Sequence, residues 1–160
     1  MKVLKFIDEQ FEKWFLIVSL IVMVLVTFIQ IVLRWFNAAT VWAEEFSRYV
    51  MLYQVWVGAS YAVHEDAHIR ITALIGKLSG GRRRGMDLVV LTLWLLFALW
   101  LTVEGCVLVS KIAAMGQVSS AMRIPMTIPY ASVPIGGALM TIRLVQKIVE
   151  RLRNTQEEEA

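Results

Sequence analysis

Charged residues are absent from four long stretches of the chain, at 14–33, 49–63, 88–103 and 124–142. An α-helix rises about 1.5 Å per residue and the hydrocarbon core of a bilayer is about 30 Å thick, so roughly 20 apolar residues cross it. The first and fourth stretches approach that length unaided. The second and third reach it with flanking residues whose charged ends extend to a water interface. The pattern therefore predicts an all-α membrane protein, a single transmembrane domain over 1–160 with four transmembrane helices at about 14–34, 44–66, 87–108 and 124–146.

Between the first two spans, Val41, Trp42, Phe46 and Tyr49 recur at near-helical spacing, with Glu44, Glu45 and Arg48 among them. This predicts a short amphipathic interfacial helix at about 40–48 leading into the second span. Thr40 stands at its N-cap position, and the acids lie near the positive end of its dipole. Glu44 and Arg48 are four residues apart and can pair, for about 0.2–0.5 kcal/mol. Ser79-Gly80-Gly81 breaks a loop expected at 67–86, and the acidic tail at 154–160 is expected to fray. All three prolines, Pro125, Pro129 and Pro134, fall at the entrance to the fourth span. Each removes a backbone donor and clashes with the preceding turn, so that entrance is expected to be kinked or unwound. Within lipid such backbone must be covered by protein or wet.

Composition agrees with a membrane protein: hydrophobic residues make up 58% of the chain. The net charge of +3 does not point to nucleic acid, because the basic residues cluster beside the spans. Twelve of the Lys and Arg residues fall in the N-terminal segment, the 67–86 loop or the segment after 142, and four fall in the other two connections. By the positive-inside rule both termini are cytoplasmic. The N-terminal run is too long for a signal-peptide core and is followed by no convincing cleavage site, so it is expected to stay as the first helix. Cys106 is the single cysteine, which excludes an internal disulfide and a CxxC motif.

Small residues mark candidate contact faces. Ser132, Gly136 and Met140, with Gly137 and Thr141 beside them, line one side of the fourth span, and Gly58 and Ala62 do the same in the second. Such spacing lets helix backbones approach closely, within this chain or against another subunit. Trp14, Trp35 and Trp42 stand near span ends as interfacial anchors.

One catalytic pattern is present: His64-Glu65-Asp66-Ala67-His68 reads H-E-x-x-H. On a helix it would put two imidazoles on one face with a glutamate to activate zinc-bound water, as in an intramembrane zinc metalloprotease. A catalytic zinc needs a third protein ligand, and the chain has no further histidine. Glu104 belongs to the outer end of the third span, a membrane thickness from the histidines, and Asp87 follows an arginine run like an ordinary interfacial acid. Neither a metal nor another cofactor is expected, and the chain is not read as an enzyme. Glu104 is the one acid well inside an apolar helix, within reach of the outer interface and seven residues from Lys111. No span has a charge at its centre, and no matching halves carry broken helices, as a self-sufficient ion-coupled carrier would. A self-assembling four-helix carrier is thus disfavoured, and the residues indicate an accessory membrane subunit.

The succession Arg34-Trp35, Trp42-x-Glu44-Glu45-x-x-Arg48-Tyr49, Trp56-x-Gly58-Ala59, His68-Ile69, Ser120-Ala121-x-x-Ile124-Pro125, Tyr130 and Pro134-Ile135-Gly136 resembles the small membrane subunit of tripartite ATP-independent periplasmic (TRAP) transporters. The likeness runs from the first span to the end of the fourth and accounts for His68 without zinc. It implies a subunit of a sodium-driven symporter for organic acids, sialic acid or a C4-dicarboxylate, in a bacterial inner membrane. The implied partners are a large permease subunit that moves substrate by an elevator motion, a periplasmic substrate-binding protein, and phospholipid. The small subunit would serve as scaffold or stator. On the outer face, Arg34, Glu44, Glu45, Arg48 and Arg123 are the candidates for docking the binding protein, since charged contacts tune encounter.

Overall fold

The computed structural model describes residues 2–38, 40–64 and 81–159. Among the described residues, five helices carry the fold: α1 (Lys2–Trp35), α2 (Val41–His64), α3 (Gly81–Met115), the short α4 (Thr127–Tyr130) and α5 (Ser132–Glu159). The four long helices run up and down in turn. In space they do not follow chain order: α1 packs on α2, α2 on α5, and α5 on α3, while α4 lies against α3 and α2. The result is a row, α1–α2–α5–α3, with α1 at one edge and α3 at the other.

Helix ends follow local chemistry. After Trp35, the N–H of Ala38 donates to the carbonyl of Leu33 at 3.0 Å and Asn37 takes a left-handed φ of 55°. This closes α1 with a Schellman-type turn, at a residue that tolerates that conformation. Gly116 ends α3 the same way, with φ 59°. At the start of α2, Thr40 precedes the first helical residue but its hydroxyl is buried without a hydrogen-bond partner, so the expected cap bond does not form.

Several expected boundaries move. The amphipathic segment at 40–48 is not a separate element: it forms the first two turns of α2, continuous with the rest of that helix. No proline or glycine lies between Val41 and Val57, and so nothing breaks it. Helix α3 begins at Gly81, which shortens the loop placed at 67–86; residues 67–80 lie outside the described residues. The tail expected to fray from 154 continues helical to Glu159, in a segment rich in Arg, Gln and Glu, which are good helix formers. The proline-rich entrance is non-helical up to Met126, where residues 116–126 form a hairpin closed by a bridge between Val118 and Pro125. Beyond it α4 and α5 are separated only by Ala131, which keeps a helical φ of −62° and ψ of −18°.

Among the described residues, three segments are long and apolar enough to cross a membrane: Gln10–Trp35, Gly85–Met115 and Thr127–Arg151. Helix α2 is not among them: besides Glu44, Glu45 and Arg48 it carries Tyr49, Tyr53, Gln54, Ser60, Tyr61 and His64, which lower its hydropathy. Most of α1 is exposed, and Leu20, Val24, Phe28 and Ile31 have no cover. On α3 the buried positions are Leu91, Ala98, Gly105 and Ile112, in steps of seven, flanked by half-buried residues such as Trp94, Leu95, Leu101, Thr102 and Val109. Together they make one covered face, the seam against α5. The remaining faces, with Leu93, Leu96, Trp100 and Val103, are as apolar as the seam and open. Exposed apolar area on this scale requires lipid or another protein.

The core lies where α2, α3 and α5 meet: Val63, Leu91, Ala98, Met140 and Leu144, with Ala59, Trp94, Leu95 and Ile148 packed around them.

Candidate functional site

The alternating helices bring the α1–α2 turn and the 116–126 hairpin to one end of the row. All five charged residues singled out for docking gather there. Arg34, Glu44, Arg48 and Arg123 are exposed, whereas Glu45 is half-buried. Glu44 and Arg48 pair at 3.1 Å in the open, which adds a few tenths of a kcal/mol at most.

Glu45 behaves differently from its neighbours. Its Oε2 accepts the backbone N–H groups of Ala121 and Met122, each at 2.9 Å. Its Oε1 accepts the Tyr49 hydroxyl at 2.5 Å. One turn further on, the Tyr53 hydroxyl donates to the carbonyl of Ile128 at 2.6 Å. Glu45, Tyr49 and Tyr53 are successive i, i+4 positions, so one face of α2 holds both the hairpin and α4. The hairpin closes on itself through Ser119 N–H to the Ile124 carbonyl and Met126 N–H to the Gln117 carbonyl, both 2.9 Å. Beside the gripped amides, Arg123 adopts φ 54°, a left-handed conformation costly for a residue with a Cβ.

The opposite end of the row holds a cluster that sequence reading missed. Glu12 and Arg143 are buried, at 1% and 6% exposure, and Arg143 Nε donates to Glu12 Oε1 at 3.2 Å. The Ser60 hydroxyl donates to the same oxygen at 2.8 Å, and Arg143 also reaches Gln146 Oε1 at 3.0 Å. Three helices, α1, α2 and α5, meet in this cluster. In the sequence Glu12 lies just before the first apolar run and Arg143 just after the fourth, where both look like ordinary flanking charges. Only opposite sign at matching depth hints at the pair.

The small-residue faces are contacts within the chain. A Cβ at Gly136 would overlap the Trp56 side chain, and the Trp56 carbonyl carbon and Cα would stand 3.1 Å away. Gly137 turns toward α3, where a Cβ would come within 2.6 Å of Thr102 Oγ1. The two adjacent glycines thus let α5 lie close to α2 on one side and α3 on the other. Ser132 and Met140 are buried along α5, and Ala62 is half-buried on α2. Gly58 is looser, with Leu16 Cδ2 3.8 Å from a Cβ position.

Trp14, Trp35 and Trp42 are exposed. Trp14 and Trp35 stand 21 residues apart on α1, or about 31 Å at the helical rise, close to the thickness of a hydrocarbon core. Between α1, α2 and the hairpin runs an open groove of about 690 Å³, lined by aromatic and aliphatic side chains such as Phe15, Val18, Tyr49 and Ile124. Glu104 is exposed on the free side of α3. Of the H-E-x-x-H pattern, Glu65 to His68 lie outside the described residues; among those described, no group of three metal-ligating side chains comes together.

The chain is similar over 158 residues, at 24% identity, to an isethionate TRAP transporter permease protein, DctMQ, of Oleidesulfovibrio alaskensis; the match covers 94% of this chain and 25% of that protein. It is 29% identical over 106 residues to the C4-dicarboxylate TRAP transporter small permease protein DctQ of Rhodobacter capsulatus, covering 66% of this chain and 47% of that one. With the small permease protein DctQ of Vibrio cholerae, also named for C4-dicarboxylate, it shares 27% identity across 86% of this chain and 69% of the relative. The chain thus spans a quarter and about half of the first two relatives. The family model described as "Tripartite ATP-independent periplasmic transporters, DctQ component" matches residues 23–154. That span takes in the grip on the hairpin, the paired glycines and Arg143, and three membrane-length apolar helices among the described residues agree with an integral membrane subunit. The chain belongs to the DctQ family, the small permease subunits of TRAP transporters.

Proposed function

We propose that this subunit is the scaffold, or stator, of a sodium-coupled organic-acid transporter in a bacterial inner membrane, flanking a large elevator-type permease subunit. One observation carries the reading: the helices form a row whose edges are apolar and uncovered. From Gln10 to Trp35 α1 is mostly exposed, and α3 buries only the face it turns to α5 and α4. A row widens a fixed platform in the membrane plane and leaves apolar surface for a partner and phospholipid. Among the described residues no charged path crosses it. The fused name of the Oleidesulfovibrio relative supports a large permease partner. In this reading α2 crosses the membrane as the fourth span, shielded by α1 and α5, with both termini cytoplasmic and Trp14, Trp35 and Trp42 at the two interfaces.

The substrate is a small organic acid, sialic acid or a C4-dicarboxylate; the names of the Rhodobacter and Vibrio relatives favour the latter. The tagged chain, extracted from its own membranes in mild detergent, is expected to bring down a large polytopic permease in comparable amount, and alone in liposomes to transport nothing. Recovery of the chain by itself, or transport by it alone, would overturn the reading.

The hairpin end faces the periplasm and docks the substrate-binding protein through Arg34, Glu44, Arg48 and Arg123. Reversing charge at both Arg34 and Arg123 is expected to lower capture of that protein by tenfold or more and to steepen the loss of transport at low binding-protein concentration. Unchanged capture and transport would remove docking from the roles of this surface.

A further inference from the structure

We propose that Glu45 is a positioning residue: a latch that holds the 116–126 hairpin in the conformation that presents Arg123, and not itself a docking charge. The inference rests on the reading of Arg123 as a docking residue. Glu45 turns inward, and both of its oxygens are engaged, Oε2 by the amides of Ala121 and Met122 and Oε1 by Tyr49. Little of its acceptor capacity is left for a partner protein. The two amides it holds immediately precede Arg123, whose left-handed φ of 54° persists only if the surrounding structure imposes it. Charge-assisted bonds from a carboxylate to two consecutive N–H groups are strong enough to impose it, and they act from a rigid helix on a loop.

Held this way, the exposed Arg123 side chain starts from one backbone geometry, which lowers the ordering cost when a partner binds. A mobile hairpin would present the same charge from many positions. Glu44 and Arg48, exposed and paired with each other, have no such hold on the loop among the described residues.

Two roles for Glu45 predict different results. A glutamine retains an amide oxygen that can accept both N–H groups, but it loses the charge. A latch therefore tolerates Glu45→Gln and fails in Glu45→Ala, whereas a docking charge fails in both. The experiment uses the assembled small and large subunits in lipid nanodiscs. Its readouts are hydrogen exchange at the Ala121 and Met122 amides and capture of the purified periplasmic binding protein of the same system.

Expected are exchange accelerated tenfold or more in Glu45→Ala, near-normal exchange and capture in Glu45→Gln, and capture in Glu45→Ala/Arg123→Ala no weaker than in Arg123→Ala alone. Unaltered exchange in Glu45→Ala overturns the latch. Capture as weak in Glu45→Gln as in Glu45→Ala makes Glu45 a docking charge and overturns the positioning role. Normal capture by Arg123→Ala, with exchange still accelerated in Glu45→Ala, overturns the docking reading and the presentation role with it.

Discussion

Replacing Arg143 by methionine is expected to lower the stability of the folded chain by about 3–5 kcal/mol, the cost typical of removing one partner from a buried ion pair. Glu12 would then keep a buried carboxylate with, among the described residues, the Ser60 hydroxyl alone on it. Glu12→Met is expected to cost less, because the Arg143 guanidinium keeps Gln146 and further contacts. The double variant Glu12→Met/Arg143→Met should recover most of the loss. The native pair is not fully satisfied, because Glu12 Oε2 is buried with no partner among the described residues. Desolvation of both charges therefore offsets much of their attraction, and two flexible apolar side chains fill the space without that penalty. Reversible unfolding in mixed micelles reads all three variants. Single-variant losses below about 0.5 kcal/mol, the range of ordinary surface changes, would show the pair to be solvated in the folded protein.

A valine at Gly136 is expected to have the second-largest effect. Even a single methyl there meets the Trp56 Cβ and its backbone, which cannot rotate away as the end of a long side chain can. The only relief is for α2 and α5 to separate, and the junction of the row opens. Overpacking of this kind costs about 1–3 kcal/mol where neighbours can give; against backbone the upper end is expected. Gly58→Ala makes the control. Its new methyl meets Leu16 at an ordinary 3.8 Å, and alanine is favoured over glycine in a helix by up to about 1 kcal/mol. Thermal unfolding in detergent should place Gly136→Val well below the parent and Gly58→Ala level with it or above. Equal losses at the two positions would contradict the close approach of α5 to α2. Loss of the large subunit from both variants, without loss of stability, would move these faces from internal packing to a subunit contact.

These two sites show where reading the chain stopped. Gly58 and Gly136 look alike in sequence: each is a small residue on an apolar helix. One touches the end of a leucine and the other a tryptophan backbone, and neither spacing nor composition separates them. The seam of α3 was hidden for a related reason. In a soluble helix the buried stripe stands out because the other face is polar, but here Leu93, Leu96 and Trp100 on the open side are as apolar as Leu91 and Leu95 on the covered one. Glu45 was grouped with Glu44 and Arg48 by charge and position. The hairpin that turns it inward is contributed by residues more than 70 positions away.

What the chain settles without its structure follows from one strong energetic term. Charge is costly in hydrocarbon, so the apolar stretches, their helical state and the broken proline entrance are all written in local residue order. The family resemblance is also carried by local motifs, and the match over 23–154 agrees with it. The order of helices in the row, the union of Glu12 with Arg143, the inward turn of Glu45 and the partner of each glycine belong to the tertiary structure alone. They depend on which residues, far apart in the chain, come to lie at the same depth and face each other. In a chain apolar on every side, the contrast between water and oil that would reveal those faces is missing.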